Sequence, residues 1–205
     1  QIIPNLETSG GSAANTLAGI AQLGGKAAFI GRVKNDKLGE TFTKEIRASG
    51  SFFETPPTIE GPHTARCLIF VTPDAQRTMC TYLGASSYLD TQDLDISLLK
   101  KSKILYLEGY LFDSVAAQDA FRKASEVSKM AEREVALSLS DAFCVNRHRE
   151  SFINLVENHI DILLANEEEI KALYQSSDFN EAIQNIKGSC EIAAITLGEK
   201  GSIIV

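Results

Sequence analysis

The sequence predicts an α/β protein, an open and mostly parallel sheet flanked by helices, interrupted by a small antiparallel β insert. Three observations predict it. Short apolar runs of strand length at 27–31, 104–107, 135–139, 162–165 and 191–196 alternate with amphipathic stretches of helical period, the rhythm of parallel strands joined by crossover helices. Between 51 and 85 that rhythm gives way to a period of two around a Pro-Asp turn. Three successive strand-like runs also end on a polar residue, Glu108, Asp141 and Asn166.

The first helix opens on Ser9-Gly10-Gly11-Ser12-Ala13-Ala14-Asn15, and Ala14, Leu17, Ala18 and Ala21 follow the i, i+3, i+4, i+7 spacing of one buried face. Gly24-Gly25 supplies a left-handed stop. Gly10 and Gly11 lack Cβ, so a ligand can reach the backbone N–H groups that stay unpaired in a first helical turn and form its positive end. Ser12 is expected to cap that turn. Asn15 lies above it on the same face, and its carboxamide offers both a donor and an acceptor to a vicinal diol. A plain turn with a serine cap accounts for the same residues without a ligand.

Residues 27–31 read as a short buried strand, and Asp36 caps a second helix with Leu38, Phe42 and Ile46 inward and Ser49-Gly50 at its end. Residues 51–55 are extended, Pro56-Pro57 interrupts, and 65–72 alternates into Pro73-Asp74-Ala75-Gln76 before 77–83 returns as a strand. Met79 and Leu83 share a face; Arg66, Arg77, Thr78 and Thr81 are expected to keep one side wet. Such an insert suits a lid over a site, or a sheet through which two copies pair.

The alternation resumes at Lys103. A strand delivers Glu108-Gly109, a helix over 114–131 turns Val115, Ala120, Ala124 and Val127 inward, and a strand delivers Ser140-Asp141. A helix over 147–158 buries Phe152, Leu155 and Val156, and the next strand delivers Asn166. Ligands of open α/β sheets collect outside the carboxyl ends of the strands, where Glu108, Asp141 and Asn166 would meet, although each also fits a cap or a turn. Asn166-Glu167-Glu168-Glu169 has the form of a capping box; alternatively, Glu169 with Asn166 orders the water shell of a Mg²⁺ ion. After the strand at 191–196, Thr196 stands at the mouth of Leu197-Gly198-Glu199-Lys200-Gly201, whose glycines can line a nucleotide or simply turn a hairpin. Residues 97–103 and 132–134 read as solvated connectors, and 176–187 as a short surface helix.

Composition sets the outer limits. With 205 residues, 44% of them apolar and 23% charged, the chain has room for one core and a small appendage. A formal charge of −7 argues against nucleic acid as a partner, which requires a basic face. No apolar run approaches the roughly 20 residues of a membrane span. The four cysteines, Cys67, Cys80, Cys144 and Cys190, show no metal spacing among themselves or with His63, His148 and His159. Apolar neighbours around Cys67, Cys80 and Cys190 predict buried free thiols in a reducing compartment. With no signal-peptide pattern at Gln1, the cytoplasm is expected by default. The chain ends mid-strand at Ile203-Ile204-Val205, and both ends read as cut from a longer protein.

Five pieces then fall into one register: the Ser-Gly-Gly-Ser-Ala-Ala-Asn opening, Gly31-Arg32-Val33-Lys34-Asn35-Asp36-Lys37-Leu38-Gly39, the strand-end Glu108, the Asn166/Glu169 pair, and Ile195-Thr196-Leu197-Gly198-Glu199-Lys200-Gly201. In order and spacing the chain resembles the ribokinase-like (PfkB) carbohydrate kinases along essentially its whole length. Thr72 to Met79, Leu107-Glu108-Gly109-Tyr110 and Leu139 to Val145 look most like bacterial adenosine or sugar kinases. The resemblance implies ATP-dependent phosphorylation of a primary hydroxyl on adenosine or a related sugar, with a lid closing over the substrate. Fructose, ribose or 2-keto-3-deoxygluconate as substrate stays open, as does a module that binds the sugar without chemistry.

Carried over by position, Gly10, Gly11, Ser12, Asn15, Glu108 and Asp141 would contact the sugar. Asn166, Thr196, Leu197, Gly198, Glu199, Lys200 and Gly201 would border ATP, and Glu169 would serve Mg²⁺. A monovalent cation is a further expectation of the same resemblance. The core would comprise 9–50 and 86–205, and the lid 1–8 and 51–85, with a homodimer through the lid as one further partner. The family's Asp-Thr-x-Gly-Ala-Gly-Asp segment, whose last Asp is the general base, falls beyond Val205, and its first strand falls before Gln1. The 205-residue chain is therefore expected to be inactive by itself, as part of a protein that is a kinase.

Overall fold

The computed structural model describes residues 6–205, and the part of the expected lid at residues 1–5 lies outside them. Packing divides the chain into two units, Gln1–Leu89 and Asp90–Val205, each with its own apolar interior.

In the first unit, helix α1 (Ser12–Gln22) has Gly11 as its N-cap and no side chain capping the turn. Ser12 is thus the first helical residue, not the cap expected of it. Gly11 holds φ 109°, ψ 148°, a backbone that only glycine adopts easily, so the chain turns into the helix one residue sooner. Of the apolar stripe only Ala14 is fully buried, while Leu17, Ala18 and Ala21 are half-buried. Helix α2 (Lys37–Ala48) begins at the Asp36 cap and turns Ile46 inward, as its spacing predicts.

The expected strand at 27–31 is reduced to isolated parallel bridges, Ala28 with Phe52 and Lys34 with Thr58. Both bridges keep one register, so the two segments run side by side as a broken ladder. Part of the break has a covalent cause. Thr58 donates to Val33 at 2.9 Å and Phe52 to Ala27 at 2.9 Å, and of the two donor positions between them, Glu54 and Pro56, the second has no N–H. Behind this ladder sit Ala14, Val33, Ile46 and Phe53, and Phe29 and Phe42 meet Phe53 at ring centroids of 5.3 and 5.8 Å.

Strands β1 (Arg66–Val71) and β2 (Arg77–Tyr82) pair antiparallel, Arg66 opposite Tyr82 and Val71 opposite Arg77. The turn between them closes as predicted, with Ala75 at φ 63° and Thr72 N–H donating to the Gln76 carbonyl at 3.0 Å. Here the expectation of one wet side fails, because every residue of both strands is exposed. Cys67 and Cys80 lie on these strands and are exposed free thiols, contrary to the buried state predicted for them; Cys190 is half-buried and Cys144 fully buried.

The second unit opens on helix α3 (Ile96–Lys101), which the sequence reading took for a connector; Asp95 caps it and Leu99 anchors it at 3% exposure. There follow β3 (Ile104–Glu108), a 3₁₀ turn at Gly109–Asp113, α4 (Val115–Met130), β4 (Glu134–Ser138), α5 (Ala142–Arg147) and α6 (Arg149–His159). The chain finishes with β5 (Ile162–Asn166), α7 (Glu167–Tyr174), α8 (Phe179–Ile186), β6 (Ile192–Thr196) and β7 (Ser202–Ile204). Strands β3 to β6 are parallel neighbours in sequence order and β7 adds antiparallel to β6, giving a five-stranded sheet.

Two corrections concern its helices. The inward face of α4 is Ala117, Ala120, Phe121, Ala124, Ser125 and Ser128, with Val115 at the first helical position outside that stripe and 73% exposed. The single helix expected over 147–158 starts after His148, and α5 stands before it as a separate six-residue helix. The interior lies between sheet and helices around Leu137, Leu139, Leu163, Phe152, Ile170 and Ile195. This is the α/β architecture expected, a mostly parallel sheet flanked by helices together with a small antiparallel sheet.

Candidate functional site

In a parallel sheet all carboxyl ends face one way, and in the second unit that edge gathers the acidic residues singled out in the sequence. Glu108 closes β3 at 8% exposure. Its carboxylate accepts the Tyr106 hydroxyl at 3.0 Å and is also bonded by the Ser140 hydroxyl. Ser140 donates from a left-handed backbone, φ 67°, which is costly for a residue with a Cβ. Gly109, next to Glu108, passes so close to β4's continuation that a Cβ there would lie 2.6 Å from the Ser138 and Leu139 carbonyl oxygens. Glycine is required at that step by contact, not by dihedral angle.

Asp141 leaves the end of β4 as the N-cap of α5, with Oδ1 accepting the N–H groups of Phe143 at 2.6 Å and Cys144 at 3.3 Å. Asn166 and Glu169 make the full capping box at the start of α7: Asn166 N–H to Oε2 at 2.9 Å, Asn166 Nδ2 to Oε1 at 2.8 Å, and Glu169 N–H to Asn166 Oδ1 at 2.8 Å. Glu169 is 6% exposed. Burial pushes its carboxyl up; the Asn166 N–H pulls the other way, and the negative fields of Asp141 and Glu108 push it further up. The Tyr110 phenol is pushed up by burial and then by the same three carboxylates, so it stays a neutral donor at the centre of an acidic edge.

Beside them Thr196 is the ladder partner of Asn166, and its hydroxyl donates to the Ala165 carbonyl at 3.4 Å. The turn after Thr196 is tight, Leu197 N–H reaching the Gly201 carbonyl at 2.8 Å. Gly198 and Gly201 stand at φ 61° and φ 94°, with open space where a Cβ would project. A flat ligand can therefore approach the backbone of this turn. Leu197, Glu199 and Lys200 complete it, the first half-buried and the others exposed.

The remaining candidates belong to the first unit. Gly10, Gly11, Ser12 and Asn15 surround the uncapped start of α1, where Asn15 N–H takes the Gly11 carbonyl at 2.9 Å and Asn15 is exposed. No Cβ on Gly10 or Gly11 would touch anything, and only Gly11, at φ 109°, needs glycine for its backbone. Gly11 and Ser12 are exposed at the positive end of an eleven-residue helix, an arrangement that attracts oxygen acceptors.

The structure thus brings Glu108, Asp141, Asn166, Glu169 and Thr196 to one sheet edge and adds residues given no role in the sequence analysis: Ser140, Tyr106 and Tyr110. Tyr106 was legible, since it alternates with Glu108 on one face of β3. Nothing in the sequence marks Ser140 for a left-handed backbone. The Gly31-to-Gly39 stretch, by contrast, is structural. Asp36 accepts Gly39 N–H at 2.9 Å and Thr64 N–H and hydroxyl at 3.0 and 2.7 Å, and Gly39 lies against the Lys34 carbonyl, where a Cβ would come within 2.0 Å.

Among the described residues no three His, Cys, Asp or Glu side chains are grouped to hold a metal ion, and no helix is long and apolar enough to cross a membrane. Comparison with known proteins gives a match of residues 6–205 to the model described as "pfkB family carbohydrate kinase". The fold superimposes on adenosine kinase from Sinorhizobium meliloti with TM-score 0.93 and 47% identity, covering 98% of this chain and 62% of that one. A probable sugar kinase from Rhizobium etli CFN 42 gives TM-score 0.94 and 45% identity over 100% of this chain and 62% of that one. Among curated relatives, a probable fructokinase-3 of Arabidopsis thaliana is 24% identical over 96% of this chain and 59% of its own length. The chain thus spans about three fifths of the length of each of these three proteins.

Proposed function

The chain belongs to the pfkB family of carbohydrate kinases, and from that membership we propose that the protein containing it transfers the γ-phosphoryl group of ATP to a primary hydroxyl of adenosine or a closely related ribose-bearing substrate. What carries the reading is the meeting of Glu108, Asp141, Asn166 and Thr196 at the carboxyl edge of a parallel sheet, in a chain 47% identical to an adenosine kinase.

On this reading Gly10, Gly11, Ser12 and Asn15 are the sugar-contact candidates of the first unit, the turn offering N–H groups and Asn15 its carboxamide. In the second unit Glu108, held by Ser140 and Tyr106, is the candidate acceptor of a substrate hydroxyl; Asp141 is a substrate-side candidate whose Oδ1 serves the α5 cap. The open backbone of Gly198 and Gly201 admits the flat base of the nucleotide, with Thr196, Leu197, Glu199 and Lys200 around it. Strands β1 and β2, with every residue exposed, are the candidate for the lid expected of the family.

The acidic edge fits a hard divalent cation. Asp141 and Glu108 act on Glu169, yet among the described residues no three acidic groups close on a common point, so Mg²⁺ there would keep most of its waters and Glu169 would order them. Bound Mg²⁺ neutralises charge on the transferring phosphoryl group. No residue of this chain is assigned the base that takes the hydroxyl proton; Asp141 orients, and the base is expected downstream of Val205.

The test is phosphotransfer from ATP to adenosine, ribose and fructose, measured on the full-length protein and on the 205-residue chain. Turnover of adenosine by the first and none by the second is expected, and turnover by the second would overturn the placement of the base. Thermal stabilisation by fructose and not by adenosine would replace the nucleoside reading with a fructokinase, the activity named for the Arabidopsis relative.

A further inference from the structure

Two segments leave the carboxyl edge side by side: the 3₁₀ turn Gly109–Asp113, which follows Glu108, and helix α5, which follows Asp141. Three contacts lace them together. At the near end the Ser140 hydroxyl bonds Glu108. Midway the buried Cys144 thiol donates to the Gly109 carbonyl at 3.5 Å, and burial, with the Asp113 carboxylate adding, pushes that thiol up to about 11, where it is inert.

At the far end Asp113 takes a two-point grip from Arg147, Nε to Oδ1 at 3.1 Å and Nη2 to Oδ2 at 2.7 Å, and His148 Nε2 meets Oδ1 at 2.8 Å. Cys144 and Arg147 stand three residues apart, so one face of α5 carries the middle and far rungs, and Ser140 holds the near rung from the turn before the Asp141 cap. His148 is itself steadied edge-on against Phe112, which stacks on the buried Phe152 at a centroid distance of 4.2 Å.

We propose that Asp113 is a positioning residue, which through Arg147 fixes the turn bearing Tyr110 against the helix led by Asp141 and so sets the separation of Glu108, Tyr110 and Asp141. Its functional consequence rests on the kinase reading above; the brace itself does not. The pair is half exposed, with side-chain exposures of 53% for Arg147 and 50% for Asp113. Ion pairs in that setting add little to global stability, whereas a planar fork on a carboxylate fixes direction as well as distance. The brace should therefore register as local geometry and not as melting temperature. Ser140 and Cys144 hold the near and middle rungs, and without the far rung α5 and the turn are free to splay from Asp113 backwards.

The experiment uses the full-length protein with Arg147→Gln, Asp113→Asn, the charge-retaining Arg147→Lys, and a control, Lys129→Gln, which removes the ion pair to Asp161 below the opposite edge of the sheet. Hydrogen exchange in the free protein reads the brace: amides of 109–113 and 142–147 should exchange faster in Arg147→Gln and Asp113→Asn and not in Lys129→Gln. Unchanged exchange overturns the proposal. Initial rates read its consequence: KM for the sugar should rise about tenfold in Arg147→Gln with KM for ATP unchanged, as expected for a displacement of an ångström or less at the substrate. Arg147→Lys should recover part of it, and Lys129→Gln should lower the melting temperature without moving KM. Equal losses for all variants, tracking melting temperature, would make the pair merely structural and overturn the positioning role. Faster exchange in a protein whose wild type phosphorylates none of the sugars would support the brace and sink the kinase reading, so the two can fail separately.

Discussion

Ser140 shows how much the candidate site depends on one residue in an unfavourable state. Its left-handed backbone, φ 67°, costs about 1 kcal/mol for a residue with a Cβ, and it is retained with the hydroxyl turned onto Glu108. The two effects separate by substitution. Ser140→Gly relieves the backbone and loses the bond, whereas Ser140→Ala keeps the strain and loses the same bond. A hydrogen bond to a charged acceptor contributes about 2 kcal/mol, so Ser140→Ala should fall by roughly that amount and Ser140→Gly by about 1 kcal/mol less. Urea unfolding of both variants measures it. Equal losses would mean that the backbone is unstrained and that the bond is the whole effect. At this scale the sequence was legible where a residue type announces its own task, as with Asp36, Asn166 and Glu169 as caps, and silent where the task is set by a neighbour brought from elsewhere. Ser140 is tied to Glu108 across the end of a strand pair, and no local pattern reports that.

Elements were legible when they were long enough to show a period and bounded by a cap. Helix α2 ran from its Asp36 cap as read, whereas the six-residue helices α3 and α5 are too short to display a stripe, and each was taken for connection or strand end. Broken pairing is harder still: residues 27–31 have the composition of a strand, and one of the ladder bonds they lack is removed by a proline on the partner segment, Pro56. Asp36 holds this first unit together through chemistry that can be titrated. Partial burial works to raise its carboxyl, but the Thr64 N–H and hydroxyl, the Gly39 N–H and His63 outweigh it and hold the group at about 2. A carboxylate depressed in the folded state stabilises above its unfolded value, near 4, and that contribution is lost as the pH falls through 2. Its size is on the order of 2 kcal/mol, from a shift of nearly two units. Chemical denaturation between pH 5 and 2 (roughly the window in which such a group titrates) should therefore show a falling limb that flattens in Asp36→Asn. A limb of the same slope in the variant would assign acid sensitivity to other groups, such as Asp113, which Arg147 holds low.

The two units of the molecule are unequal in what they bury. The second encloses a continuous cluster around Leu137, Leu163, Phe152 and Ile170, each at 0% exposure, while among the described residues of the first the buried apolar set is Ala14, Val33, Ile46 and Phe53, which cluster, with Ala85 and Leu89 outside that cluster. Meanwhile Leu68, Ile69, Val71 and Met79 of the hairpin are all more than half exposed, at 51, 54, 64 and 61%. Apolar character in the sequence signalled strands in both units, but alternation reports polarity and not whether a partner layer exists, which is why the hairpin was read with one covered face and has none. Burial of apolar surface is the dominant favourable term against chain entropy, and it grows faster than length. Residues 90–205 expressed alone should therefore unfold in one cooperative urea transition with most of their native circular dichroism. Residues 6–89 alone should show a shallow transition and bind a hydrophobic dye, because a buried cluster of four apolar side chains, with Ala85 and Leu89 buried apart from it, offsets little of the entropy of ordering that length of chain. Phe53→Ala, which empties the centre of the aromatic trio with Phe29 and Phe42, should melt the first unit and leave the second unit's transition where it was. If the second unit's midpoint shifted with it by the same amount, the two would be one cooperative body, and the division by buried core would be wrong.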